Sequence, residues 1–188
     1  MTTLLIPVDG SDYSLKAVDY AVYRARESKT PIEVHLLNVQ MALASVNVKL
    51  FVSAESLESY YRDEGHRALE APLARAKSAG LNVTSHIGVG DPAKIIIDYV
   101  ADKKADEIVM GSHGRTGLDR LLVGSVSERV IGRATCPVMV VSFGSRRSTA
   151  PAMVLLPQPL SPARPSVSPT SSDRFTPRTA GTSPRSPR

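Results

Sequence analysis

Apolar residues along the first 144 positions fall into short continuous runs, separated by stretches in which they recur at helical spacing. Thr3 to Asp9 is a run of the kind that forms a strand covered on both faces. Gly10-Ser11-Asp12 then offers a turn and N-cap candidates, and Leu15, Val18, Val22 and Ala25 follow at three- to four-residue intervals, which predicts a helix. Ile32 to Val39 repeats the strand pattern. After an ambiguous stretch from Gln40 to Val52, Ser53 opens a long polar-rich helix reaching about Ala79, with Gly80 just past its end. Leu81, Val83, Ser85, Ile87 and Val89 alternate as a weaker strand near a sheet edge. Asp91-Pro92 supplies an N-cap and a first-turn proline for a helix carrying Ile95, Ile96, Tyr99 and Val100. Ile108 to Met110 forms a fourth strand, 112–123 a loop, Ser125 to about Arg133 a fourth helix, and Pro137 to Val141 a fifth strand. Strands alternating with helices predict an α/β fold with a parallel sheet and right-handed crossovers.

The periodicity stops at about Phe143. Residues 145–188 hold nine of the fourteen prolines, nine serines and five threonines, a composition that cannot bury a core. Two regions follow: a folded domain over 1–144 and a disordered Pro/Ser/Arg-rich tail over 145–188. The division changes the meaning of the overall charge of +5. The folded part carries a net −1, while the tail, with seven arginines against Asp173, carries +6. Basicity therefore belongs to the tail and gives no reason to expect a nucleic-acid face on the domain. Cys136 is the single cysteine, so an internal disulfide is excluded, which fits a reducing compartment. With no run of eighteen apolar residues and no charged leader before the first strand, a cytoplasmic protein without a membrane partner is expected.

Candidate chemistry concentrates after the fourth strand. Residues 111–125 read Gly-Ser-His-Gly-Arg-Thr-Gly-Leu-Asp-Arg-Leu-Leu-Val-Gly-Ser. A strand that ends in glycine and re-enters a helix through Gly-Ser is suited to cradle phosphate on backbone amides. Gly111 would let the chain turn sharply, Gly114 would let backbone approach a phosphate or ribose, and Gly124-Ser125 would aim amides and a hydroxyl at the anion. A plainer possibility is that Ser125-Val126-Ser127-Glu128 is a capping box, with Ser125 capping the helix and Glu128 reaching back. Asp9 could likewise merely cap the first helix. His113, an isolated loop histidine, is read as structural or exposed rather than as a general base.

The spacing Gly-x2-Gly-x9-Gly-Ser within GSHGRTGLDRLLVGSVSERVI, the following CPVMVV and the opening LLIPVDGSDYS together resemble the universal stress protein family, in its ATP-binding class. The resemblance spans about residues 1–143. It implies an open five-stranded parallel sheet of order 3-2-1-4-5 with helices on both faces, of the adenine nucleotide alpha hydrolase-like type, with ATP across the ends of strands 1 and 4. Pro7 and Asp9 match the Pro-x-Asp ending of strand 1, where Asp9 would contact the ribose side. Val39 would hold adenine through its backbone. Met110 and Gly111 would line the ribose, while Gly114, Gly124, Ser125 and the Val126 amide would hold phosphates. Arg115 and Arg120 stand as second-tier phosphate contacts. Mg²⁺ would be carried by the nucleotide's own phosphates. The resemblance also implies a homodimer through the strand at Val138–Val141, an apolar edge that would otherwise be exposed.

No P-loop lysine motif and no acidic strand end beyond Asp9 accompany these residues, so binding is favoured over turnover and no catalytic residue or protein metal site is assigned. The function expected is that of an ATP-dependent switch in the stress response. A slow ATPase or nucleotide-dependent transferase, and a dimeric interaction module whose glycines serve packing alone, are the alternatives.

Overall fold

The computed structural model describes residues 1–42, 53–114 and 123–142, together with the backbone of 152–155. The elements in chain order are β1 (Thr2–Val8), α1 (Asp12–Glu27), β2 (Ile32–Gln40), α2 (Ala54–Ser78), β3 (Asn82–Val89), α3 (Pro92–Lys103), β4 (Glu107–Gly111), α4 (Ser125–Ile131), β5 (Val138–Ser142) and β6 (Ala152–Leu155). The sheet has the order β3-β2-β1-β4-β5-β6, parallel throughout except for the antiparallel pair β5–β6. Its first five strands reproduce the expected order 3-2-1-4-5.

The central strand explains why an unbroken apolar run was required. Leu4, Leu5 and Ile6 are fully buried, and successive residues point to opposite faces. Leu4, Ile6 and Val8 join the core under α1 and α2, where Val18, Ala21 and Leu69 meet them. Leu5 and Leu37 join the other core, under α3 and α4, with Ile96, Val100 and Val130. Each face of β1 is thus sealed, and at roughly 1.5–3 kcal/mol per buried large aliphatic side chain this strand anchors both layers.

Helix starts follow the sequence signals. Ser11, Ser53 and Asp91 are the N-caps of α1, α2 and α3, each accepting from the amide three residues on, and Pro92 opens α3. Gly80, at φ +76°, occupies the left-handed position after α2. Helix α2 turns Tyr61, Gly65, Leu69, Pro72 and Ala76 inward. A Cβ on Gly65 would sit 2.7 Å from Ile87 Cδ1, so the missing side chain lets the helix lie close on β3. No described helix is long and apolar enough to cross a membrane.

The C-terminal region departs from expectation at four residues. Ala152–Leu155 forms a strand beside β5, with Met139 opposite Leu155, Val140 opposite Val154, Val141 opposite Met153 and Ser142 opposite Ala152. The expectation of a wholly irregular 145–188 is corrected for this segment. The short apolar run Ala152-Met153-Val154-Leu155, embedded among prolines, was legible as composition but not as a strand. The β5 edge, expected to be open for a second copy, is occupied by the chain's own β6. The rest of 145–188 lies outside the described residues.

Candidate functional site

The chain passes from β1 through α1 to β2 on one side, and from β3 through α3 back across to β4 on the other. The strand order therefore reverses between β1 and β4, and α/β sheets open a crevice at that point beyond the carboxyl ends of the strands. A crevice of about 280 Å³ lies there.

The end of β1 supplies Pro7 and Asp9 to one wall. Asp9 Oδ1 accepts from the Ser11 amide at 3.0 Å and from the Ser11 hydroxyl at 2.6 Å, which fixes the turn before α1. Gly10 takes φ +82° within this turn. The cap of α1 is Ser11 rather than Asp9, so the plainer reading of Asp9 as the helix cap gives way to a carboxylate anchored at the crevice. Its second oxygen faces Gly114: a Cβ placed on Gly114 would fall 2.6 Å from Asp9 Oδ2. Close approach of Gly114 is thus required by Asp9 itself.

The end of β2 supplies Val39. The Gly90 amide donates to the Gln40 carbonyl at 2.9 Å, which turns Gln40 towards β3. Strand alternation then turns the backbone of Val39 to the β1 side. The β1–β2 register ends at the pair Val8–Asn38, so Val39 stands one residue past the last rung, where it lines the crevice. Beneath it, the Asn38 amide group donates to the Val8 carbonyl at 2.8 Å and accepts from Gln40 Nε2 at 2.7 Å. At 2% exposure, Asn38 is a buried polar brace for both strand ends. The sequence reading passed over it. The available signal was a polar residue interrupting Leu36-Leu37-Asn38-Val39.

The opposite wall comes from β4 and α4. Met110 is buried and lines the crevice with Gly111, the last residue of β4. The turn-making role expected of Gly111 does not hold, because its φ lies outside the left-handed region. Its glycine is demanded by packing: an added Cβ would stand 2.7 Å from Tyr13 Cβ, at the start of α1. Ser112, 1% exposed, closes the neck of the loop. It donates its amide to the Val141 carbonyl at 2.8 Å and accepts at its own carbonyl from the Gly124 amide at 2.6 Å. His113 packs its ring 5.1 Å from Tyr13, and its Nδ1 lies 3.0 Å from the Ser112 hydroxyl, in keeping with a structural role.

The capping box, the plainer possibility for this turn, is absent. Gly124 is the N-cap of α4 and makes no side-chain cap bond, while Ser125 is the first helical residue. The Ser127 hydroxyl, in the first turn, instead donates to the Gly111 carbonyl at 3.0 Å and ties the helix to β4. Ser125 and Val126 therefore line the crevice at a helix start without a side-chain acceptor, where amide N–H groups favour negative charge. Arg129 on α4 grips Asp91 with two hydrogen bonds of 2.8 and 2.9 Å, fixing α4 against the start of α3. That guanidinium, helped by the Lys94 amide, holds the Asp91 carboxyl below its ordinary value of 3.8. Arg115 and Arg120 lie outside the described residues.

The doubly wound sheet, with Asp9 just past the end of β1 and with Gly114 and Gly124 at the crevice between β1 and β4, defines an α/β protein with an open crevice at its strand-order reversal. The chain matches the model of the universal stress protein family over residues 1–142 and belongs to that family. Universal stress protein MJ0531 of Methanocaldococcus jannaschii is 40% identical over 138 residues, covering 73% of this chain and 80% of the relative. Among solved structures, protein MJ0577 of the same organism superposes with a TM-score of 0.66 at 30% identity, over 77% of this chain and 97% of its own. A universal stress protein in complex with cAMP superposes with a TM-score of 0.56 at 27% identity, over 74% and 96% of the two chains.

Proposed function

We propose that the crevice binds an adenine nucleotide, ATP with Mg²⁺ carried on its phosphates, and that the chain acts as a nucleotide-dependent regulator in the stress response rather than as a catalyst. The observation that carries the reading is the convergence of Pro7, Asp9, Val39, Met110 and Gly111 with Gly114, Gly124, Ser125 and Val126 on one crevice at the strand-order reversal. The cAMP complex of a family member supports an adenine nucleotide as the ligand class.

In this reading the Val39 carbonyl accepts from the exocyclic amine of adenine, a donor where guanine presents an acceptor. The Asp9 carboxylate, held by Ser11, suits ribose hydroxyls, and the first-turn amides of α4 suit phosphate oxygens. Occupancy would bias an interaction surface beside the crevice. Among the described residues lining the crevice, Asp9 is the one carboxylate and is already engaged by Ser11, which favours binding over turnover.

Calorimetric titration of the full chain with ATP and Mg²⁺, then cAMP, then GTP, tests the proposal. Saturable ATP binding is expected. GTP should bind about tenfold or more weakly, because two acceptors facing each other leave a buried group unpaired at a cost of about 1–3 kcal/mol. Absence of binding in the folded chain would transfer the reading to an interaction module in which Gly111 and Gly124 serve packing. Phosphate release that is abolished in a Gly124→Val variant would establish turnover.

A further inference from the structure

Resting on the reading of the crevice as a nucleotide site, we propose that His35, His86 and Tyr99 form an acid-sensitive latch that holds α3 against β2 and β3, so that protons regulate the crevice wall that α3 supplies. The placement follows from strand and helix periodicity. His35 lies two residues before Leu37 on one face of β2, and Tyr99 lies three residues after Ile96 on α3; Leu37 and Ile96 both line the crevice. On β3, His86 shares a face with Gly88, where a Cβ would stand 2.8 Å from Ile95 Cγ2. The cluster is therefore the layer directly beneath the residues that line the crevice, and α3 spans both.

Hydrogen bonding fits the neutral form of the cluster. Glu33 Oε1 lies 3.4 Å from His35 Nε2, which places the proton there and leaves Nδ1 to accept from the Tyr99 hydroxyl at 2.8 Å. Burial, then Asp102 and Glu33, push the Tyr99 pKa up to about 12, so the hydroxyl remains a donor. The His86 ring stacks on His35 with centres 5.7 Å apart and meets the Tyr99 ring at 5.1 Å. Its Nε2 is buried and has no hydrogen-bond partner among the described residues. In the cation both ring nitrogens carry protons, and the one on Nε2 finds no acceptor while α3 is in place. The other charged groups facing the cluster are Glu33 from β2 and, from α3, Asp102 and Lys103, which pair at 2.8 Å with the Lys103 ammonium 6.0 Å from the Tyr99 ring. Burial, then His35 and Lys103, hold His86 below its ordinary 6.5. Acid thus favours the arrangement in which α3 has moved off and the ring meets water. The latch is closed above about pH 6.5 and weakens as pH falls towards the lower value of the closed form.

Hydrogen exchange of the full chain tests the latch, with the fully buried Leu5 of β1 gauging global unfolding. Opening at Ile96 and Val100, corrected for the intrinsic pH dependence of exchange, should be more frequent than at Leu5. It should rise by up to about tenfold from about pH 7.5 to about pH 5.5, the limit for a group that titrates near 6.5 only when open. His86→Leu should abolish that rise. Tyr99→Phe, which keeps His86 but loses the bond to His35, should raise opening at both pH values and retain the rise. ATP with Mg²⁺ at about ten times its Kd should reduce opening about tenfold, because a ligand that requires the closed wall protects by the factor 1 + [L]/Kd. Opening at α3 that merely matches Leu5, or an equal acid rise in His86→Leu, overturns the latch. ATP that binds by calorimetry yet leaves α3 opening unchanged overturns the coupling alone, whereas no ATP binding in the folded chain overturns the nucleotide reading and the coupling with it. Should His86→Leu fail to fold, a wild type without the acid rise at Ile96 and Val100 still overturns the proposal.

Discussion

Replacing Gly114 by alanine tests the link between the loop and the end of β1. The new Cβ would lie 2.6 Å from Asp9 Oδ2, and about 0.7 Å must be regained to reach an ordinary carbon–oxygen contact. Gly114 has no left-handed φ, so the substitution adds no backbone strain and its cost resides in that contact. Asp9 can yield only by rotating, which disturbs the bonds to its Oδ1 from the Ser11 amide and hydroxyl. Hydrogen bonds to a charged acceptor contribute about 1.5–3 kcal/mol each, and water recovers part of what is lost. A net loss of about 1–3 kcal/mol follows, which, where the displaced Asp9 is the group that meets the nucleotide, should raise the ATP dissociation constant by about 5- to 150-fold in calorimetry. Urea unfolding of the Gly114→Ala, Asp9→Ala double variant completes the cycle. The Gly114→Ala stability cost should nearly vanish when Asp9 is already alanine. An undiminished cost in that background would refute the steric argument.

Other outcomes follow from the same geometry. Gly132→Ala places its Cβ at an ordinary 3.6 Å from the Glu128 carbonyl at φ −71°, so it should leave nucleotide binding unchanged and raise stability by about 0.4–1 kcal/mol in urea unfolding. Asn38→Ala strips the Val8 carbonyl and Gln40 of their partner and should cost about 1–3 kcal/mol, read as a fall in Tm of several degrees. His86 has a buried Nε2 without a hydrogen-bond partner among the described residues, and burial, then His35 and Lys103, lower its pKa below the ordinary 6.5. The unfolded chain therefore takes up the proton first, and stability should fall as pH drops through about 6.5 towards the lower folded value. A His86→Leu variant should show a flatter acid limb in pH-dependent thermal unfolding. The equally steep limb in both proteins would remove His86 as the cause.

The layout of β1 to β5 was legible because the strands are apolar runs, except β3, which alternates, and because start signals precede the helices. Ser53, Asp91-Pro92 and Gly80 mark ends by chemistry that acts within a few residues. The site was legible as far as backbone-level requirements leave a trace in side-chain identity. Glycines at 111, 114 and 124 were found for this reason, yet the causes at two of them are contacts across the fold: Tyr13 against Gly111, and Asp9 against Gly114. Such contacts join residues about a hundred positions apart and have no local signature. The start of α4 at Ser125 was legible, but which residue caps it was not, because Ser125 and Gly124 are both competent caps; Ser127, not a capping bond, ties that turn to β4. Asn38 escaped notice because its value depends on where β1 ends beside it. Strand β6 escaped because four apolar residues among prolines become a strand only through the edge they meet.

The central claim is tested most directly by following backbone amide resonances of the full chain during titration with ATP and Mg²⁺. The account predicts saturable shifts at Val39, Gly111, Gly114, Ser125 and Val126 with one common dissociation constant, and none at Gly80 or Lys104, which precede β3 and β4 at the opposite ends of the strands. Saturable shifts confined to residues outside the β1–β4 crevice, or none at all at millimolar nucleotide, would contradict it.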